Sequence, residues 1–184
     1  MDTIVEAASY AQYYTFSEKL MAVGFSVDTS EGAPTCRWVK GNTVLDVMPL
    51  DKDVLGFTNT WYKPVMINAY DHELQSGLTI KVITPPYFCA TKFEAFENRG
   101  NGDFLASHDL EDIITVIDGR SEIIGEIDRA SEDVRNYIAV QIEMLLKKRQ
   151  FCDALPGFLL PDYASQERVK LLTDRLNAIA NFAD

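Results

Sequence analysis

Two basic and two acidic side chains in the middle of the chain are spaced to meet beside a hydrophobic core. Lys92 and Arg99 fall on one face of a predicted helix that has about 3.6 residues per turn. Asp109 and Asp112 follow on the next predicted helix. Because a charge beside a core is costly unless it meets a partner, the four side chains predict one of two arrangements. They form a buried salt-bridge network between two helices, or an active site with perturbed pKa values.

The ends of the two helices position these candidate catalytic residues. The first helix is expected to end at the loop Gly100-Asn101-Gly102, with Gly100 as its C-cap. Ser107 is placed to cap the second helix, so Asp109 and Glu111 fall in its first turn, where negative charge is favourable.

Two further carboxylates lie on predicted strands near the start of the chain. Asp46 belongs to the second arm of a predicted hairpin, which turns at Gly41-Asn42. It either pairs with Arg37 across the hairpin or faces solvent on an edge strand. Asp2 opens a short run rich in β-branched residues, which predicts a strand.

The predicted fold class is α/β in the α+β sense, with a small mixed sheet, helices packed on it and a helical C-terminal half. Apolar alternation and turn residues predict four strands, near residues 2–6, 36–40, 43–48 and 78–83. Two domains are expected: an α/β core over residues 1–84 and a helical part over residues 85–184 that carries the Lys, Arg and Asp cluster.

Composition limits the function classes. The net charge of −11, from 17 basic and 28 acidic side chains, argues against a broad electrostatic grip on nucleic acid. Three cysteines without a close pair indicate a reducing cytoplasm and no disulfide framework. The first residues lack the pattern of a signal peptide, and no apolar run approaches the roughly 20 residues of a membrane span.

Two local features have alternative interpretations. Phe57, Trp61 and Tyr62 lie close together in a poorly periodic stretch, where they form a packing loop or a base-stacking platform. A hydrolase that uses His108 with Asp109 or Asp112 is the weaker alternative, because no Ser or Cys lies in a nucleophile-like turn.

The order of these parts resembles the nucleotidyltransferase AbiEii/AbiGii toxin family, a branch of the polymerase-β-type nucleotidyltransferases. The most specific part is Lys92-x-x-Ala95-x-x-x-Arg99 followed by Asp109-Leu110-Glu111-Asp112. The stretch VLDVMP around Asp46 is similar to the strand that brings that family's third carboxylate. The stretch DTIVE is similar to the end of the strand that carries its Asp-x-Asp.

The resemblance implies an NTP substrate and Mg²⁺ or Mn²⁺ as cofactor, with Asp2 and Asp46 as metal ligands. Lys92 and Arg99 would bind the nucleotide, and Asp109 and Asp112 would orient Lys92 or water. The implied reaction transfers a nucleoside monophosphate to an acceptor such as RNA. The implied setting is a cytoplasmic toxin with an antitoxin protein as partner.

The sequence also departs from the family pattern. Asp2 matches the second Asp of Asp-x-Asp, and the first would fall before Met1. The Gly-Ser or Gly-Gly turn that cradles the nucleotide phosphates has no match either. The chain is therefore expected to begin inside the catalytic core or to be a degenerate relative, and to be inactive or weak as an enzyme. The alternative is a non-catalytic nucleotide-binding or regulatory module of the same fold.

Overall fold

The computed structural model describes residues 1–99 and 103–183, and its fold is a mixture of helices and small sheets, which confirms the predicted fold class. The chain divides into two compact units, Met1–Met66 and Ile67–Asp184. The predicted division, after residue 84, lies further along the chain. The predicted C-cap Gly100 and the loop Gly100-Asn101-Gly102 lie outside the described residues.

The first unit contains a four-stranded sheet with short helices. Its elements in chain order are β1 (Asp2–Val5), α1 (Tyr10–Ala22), β2 (Ser26–Val27), β3 (Arg37–Lys40), β4 (Thr43–Pro49), α2 (Lys52–Leu55) and the first part of α3 (Tyr62–Asn68). The strand order is β1-β4-β3-β2, with β1 parallel to β4 and the other pairs antiparallel. Gly41 turns the β3–β4 hairpin with a positive φ of 56°, a conformation that glycine adopts without strain.

Alternation along β4 decides which side chains face the core of the first unit. Leu45 and Val47 are buried together with Trp38 of the neighbouring strand. Tyr13 of α1 joins this cluster, and its hydroxyl donates a hydrogen bond to the Val47 carbonyl at 3.2 Å. Because successive strand side chains point to opposite faces, Asp46 lies on the face away from this core.

The second unit begins with a β-hairpin and continues as a helical body. Its elements are β5 (Tyr70–Glu73), β6 (Thr79–Val82), α4 (Pro85–Arg99), α5 (His108–Gly119), α6 (Ile123–Asp128), α7 (Glu132–Leu146), α8 (Arg149–Ala154), a 3-10 turn (Leu155–Phe158) and α9 (Tyr163–Ala180). The predicted helical second half is thus confirmed for the described residues.

The expectation that residues 78–83 join the main sheet is wrong. Strand β6 pairs antiparallel with β5 in a separate two-stranded sheet, in which Tyr70 faces Val82 and Asp71 faces Lys81. The physical reason is proximity along the chain, since two strands joined by a short turn pair at little entropic cost. Strand β5 was missed because Asp71-His72-Glu73 carries no apolar alternation.

The core of the second unit is built from helix faces with helical periodicity. Helix α5 packs on α4 and α9, and α7 packs on α4 and α9. On each of these helices the buried side chains recur every three or four residues. On α5 they are Leu110, Ile113, Ile114 and Ile117. No helix in the described part of the chain is long and apolar enough to cross a membrane.

Candidate functional site

Helix α4 places Lys92 beside the buried face of the helix, which includes Cys89, Ala90 and Phe93. Phe93 is fully buried on the neighbouring position, and Phe88 lies one turn earlier with its ring centroid 5.7 Å from the Lys92 Nζ atom. The Lys92 side chain is only 18% exposed. A lysine in this position needs carboxylate partners, and the next helix supplies them.

Helix α5 begins where the sequence predicted, and its start positions Asp109. The Ser107 hydroxyl accepts a hydrogen bond from the backbone N–H of Leu110, and this cap places Asp109 in the first turn. The Asp109 side chain is only 7% exposed. Its negative charge is favoured there by the backbone N–H groups of the first helical turn, which have no acceptor within the helix.

Asp109 binds both cations of α4. Arg99 donates to its two carboxylate oxygens, from Nε at 2.8 Å and from Nη2 at 2.9 Å. Lys92 Nζ donates to Oδ1 at 3.2 Å. The Arg99 side chain is 70% exposed, so its guanidinium reaches this buried oxygen pair from the surface. A bidentate pair of this kind fixes geometry as well as contributing energy.

Asp112 forms the second contact of Lys92. Its Oδ2 lies 2.6 Å from Lys92 Nζ, and its side chain is 47% exposed. The prediction that Asp109 or Asp112 lies within hydrogen-bond reach of Lys92 or Arg99 is confirmed. Lys92, Arg99, Asp109 and Asp112 together are called the α4–α5 charge cluster below.

The contacts within the α4–α5 charge cluster favour the charged forms of Lys92 and Asp109. Partial burial pulls the pKa of Lys92 down, but Asp112 and Asp109 outweigh it, so this pKa lies above its ordinary value. Burial pushes the pKa of Asp109 up, but the hydrogen bonds and charges of Arg99 and Lys92 outweigh it, so this pKa lies below its ordinary value. The cluster is therefore a set of mutually satisfied charges.

The strand carboxylates form a row across the sheet of the first unit. Asp2 on β1 lies in register with Asp46 on β4, and Asp46 lies in register with Arg37 on β3. The prediction that Asp2 and Asp46 come from adjacent strands is confirmed. In-register residues of neighbouring strands point to the same face, about 5 Å apart, so the three side chains share one face.

Arg37 engages both oxygens of Asp46. Its Nε donates to Oδ1 at 2.8 Å and its Nη2 to Oδ2 at 2.7 Å. Of the two arrangements that the sequence left open, Asp46 therefore takes the pairing with Arg37 across the hairpin. The hydrogen bonds from Arg37 hold the pKa of Asp46 below its ordinary value. A cation at Asp46 would compete with this guanidinium for the two carboxylate oxygens. Among the described residues, no group of three or more His, Cys, Asp or Glu side chains is arranged to hold a metal ion.

The two parts of the predicted site belong to different units. Asp2 and Asp46 lie in the first unit, and the α4–α5 charge cluster lies in the second. That Lys92 shares a cleft with Asp46 stays a prediction.

The residues of the hydrolase alternative have different surroundings. His108 is 95% exposed, and its Nδ1 lies 3.2 Å from an oxygen of Glu111. Cys89 is fully buried, and burial raises its pKa to about 12, so its thiol is not a nucleophile at neutral pH. The contact of His108 with Glu111 gives no support to a hydrolase that pairs His108 with Asp109 or Asp112.

One polar network gave no signal in the sequence. The carboxylate of Asp118, at the end of α5, forms an ion pair with Arg168 of α9, and Arg175 donates to the Ile117 carbonyl at 2.8 Å. These partners are 50 or more residues apart along the chain, and no local spacing joins them. The contacts tie α5 to α9 and satisfy carbonyls at the end of α5.

Comparison with known proteins finds no matching family model, no matching curated protein and no matching solved structure.

Proposed function

We propose that this protein is a nucleotidyltransferase-like, non-catalytic nucleotide-binding module whose phosphate contacts are Lys92 and Arg99. The observation that carries the proposal is the position of both cations on one face of α4, held by the same carboxylate of Asp109. Cations held in advance lose little side-chain entropy when an anion binds. Lysine binds phosphate as a point charge, and arginine adds a planar fork of donors.

The Asp46 geometry favours binding over catalysis. Two-metal nucleotidyl transfer needs carboxylate oxygens that are available to divalent ions. Both oxygens of Asp46 accept hydrogen bonds from Arg37 in this structure. A binding or regulatory role for the chain needs no such oxygens, so it is the function that these contacts support best.

Calorimetric titration tests the binding proposal. ATP, GTP, CTP and UTP are titrated separately, each with Mg²⁺ and with EDTA, into the wild-type protein. We expect at least one nucleotide to bind in EDTA, and we expect Lys92→Ala to weaken that binding about tenfold or more. Lys147→Ala is the matched control, since Lys147 is an exposed lysine that pairs with Glu143 on α7. Equal affinities for the two variants would refute the assignment of Lys92.

Metal-dependent nucleotidyl transfer is the second candidate, favoured by the in-register pair Asp2 and Asp46. In that reaction an acceptor oxygen bonds to the α-phosphorus of an NTP, and the bond to the bridging oxygen breaks with release of pyrophosphate. Its proposed ions are Mg²⁺ or Mn²⁺, its proposed acceptor is RNA, and an antitoxin protein is its proposed partner.

A labelling assay distinguishes the two candidates. The wild-type protein is incubated with labelled NTPs, Mg²⁺ or Mn²⁺, and total RNA or protein as acceptor. The binding proposal expects labelling at or near background. Robust labelling that disappears in Asp46→Ala and in Lys92→Ala would establish the transferase instead. Labelling that persists in both variants would place the active site elsewhere.

A further inference from the structure

We infer that Asp112 is a built-in competitor for the bound phosphate: its carboxylate occupies the position at Lys92 that a phosphoryl group takes. The inference rests on the proposed function and adds how binding at that site is controlled. It follows from the unequal surroundings of the two aspartates that contact Lys92.

Asp109 is held too firmly to leave the cluster. Its side chain is 7% exposed and accepts two hydrogen bonds from Arg99 in addition to the contact from Lys92. Breaking these contacts would leave a buried carboxylate without compensation, which is among the costliest changes in a protein interior. An arriving anion therefore does not replace Asp109.

Asp112 is held by a single contact and is half in water. Its ion pair with Lys92 Nζ is its one ion pair among the described residues, and its side chain is 47% exposed. A carboxylate in this position regains hydration when its side chain rotates outward, so its displacement costs little. An anion that competes for Lys92 therefore displaces Asp112 first.

The lysine can hold one aspartate and one phosphoryl oxygen together. An ammonium group has three N–H donors, and Asp109 takes one of them at 3.2 Å. Asp109 and Asp112 lie three residues apart on α5, so both reach Lys92 from one helix face. Replacing the Asp112 carboxylate by a phosphoryl oxygen keeps the Asp109 contact and restores a charge-assisted bond to the ammonium. The matching ligand chemistry is a terminal phosphoryl group, as in a nucleoside triphosphate or inorganic pyrophosphate.

Calorimetry on an isosteric pair of variants tests the inference. Asp112→Asn removes the competing charge, and Glu111→Gln removes one charge from the neighbouring exposed position, which pairs with His108 and not with Lys92. Both variants gain the same long-range attraction for an anion, so their difference isolates the contact with Lys92. We expect Asp112→Asn to bind ATP in EDTA about tenfold more tightly than wild type, and Glu111→Gln to stay within about twofold.

Inorganic pyrophosphate is titrated in parallel to identify the recognised group. A gain for both ATP and pyrophosphate assigns the site to the phosphoryl group, and a gain for ATP alone assigns it to the intact nucleotide. Either result supports displacement of Asp112.

The failures of the inference and of the proposed function differ. If Lys92→Ala abolishes ATP binding but Asp112→Asn binds no more tightly than Glu111→Gln, Asp112 does not compete and only the inference is overturned. If neither wild type nor Asp112→Asn binds any of the four nucleotides or pyrophosphate, the proposed function falls and the inference with it. Circular dichroism of each variant confirms that the helices are retained.

Discussion

Replacing Asp109 by asparagine tests the physical account of the α4–α5 charge cluster. The substitution keeps the size of the side chain but removes its charge and turns one of its two acceptors into a donor. Three hydrogen bonds depend on that carboxylate, at 2.8, 2.9 and 3.2 Å. Both α4 cations then face an amide instead of a carboxylate.

The expected loss of stability follows from the exposure of each partner. Hydrogen bonds to charged groups contribute about 1.5–3 kcal/mol each when buried. The Arg99 side chain is 70% exposed and is hydrated when it loses Asp109, so its hydrogen bonds contribute less than this range to the free energy of unfolding. The Lys92 side chain is 18% exposed and keeps only its contact with Asp112. We therefore expect Asp109→Asn to lower the free energy of unfolding by about 2–3 kcal/mol, or the urea midpoint by about 1 M.

Urea denaturation with two optical probes measures this loss. Far-UV circular dichroism follows the helices, most of which belong to the second unit in the described part of the chain. Trp38 and Trp61 are the two tryptophans of the sequence and lie in the first unit, so their fluorescence reports that unit separately. We expect the urea midpoint measured by circular dichroism to fall. Any fall in the midpoint measured by fluorescence should be no larger.

Two single-charge variants serve as controls for Asp109→Asn. Glu111→Gln removes an exposed charge from the same turn and should change stability by about 0.5 kcal/mol or less. Asp112→Asn removes the half-exposed partner of Lys92 and should cost about 0–1 kcal/mol. If Asp109→Asn costs no more than Glu111→Gln, the cluster does not stabilise the contact between α4 and α5, and the reasoning is wrong.

The pKa directions in the cluster give a second prediction. Asp109 has a folded-state pKa below its ordinary value of about 3.9, so its stabilisation is complete above about pH 4 and is lost as the pH falls through that lowered pKa. Lys92 has a folded-state pKa above its ordinary value, so its contribution is complete below about pH 10 and is lost as the pH rises through that raised pKa. The stability difference between wild type and Asp109→Asn, measured by urea titration across pH, should be constant from about pH 5 to 9 and shrink in acid; a difference that grows below pH 4 contradicts this. A third prediction concerns the thiols: Cys152 is exposed and should react with a thiol reagent in the native protein, whereas Cys36 and Cys89 are buried with raised pKa values and should react only on unfolding. Mass spectrometry after brief labelling checks this order, and early modification of Cys89 would contradict its burial.

Local signals predicted the elements that carry the charge cluster. Helix α5 begins after Ser107 as its cap residue required, and the helical spacing of Lys92 and Arg99 placed both on one face of α4. The Gly41-Asn42 turn predicted the β3–β4 hairpin and so the chance that Arg37 meets Asp46. Each of these features is decided within a few residues, where periodicity and capping operate.

Which partner each charged side chain or strand takes was beyond this kind of reasoning. The sequence left open whether Asp46 pairs with Arg37 or faces solvent, because both choices suit the same alternation. It assigned residues 78–83 to the main sheet, since a strand pattern does not name its partner. It gave no indication that Asp118 meets Arg168, which lies 50 residues away on α9.

The sequence by itself determined which residues carry charge and which helix faces or strands they lie on. Only the tertiary structure decided their unequal exposure, with Asp109 buried between two cations and Asp112 half in water. The two aspartates are three residues apart on one helix and have the same intrinsic chemistry. Their difference comes from how deeply each position sits against α4, and that depth is set by packing between helices and not by local pattern.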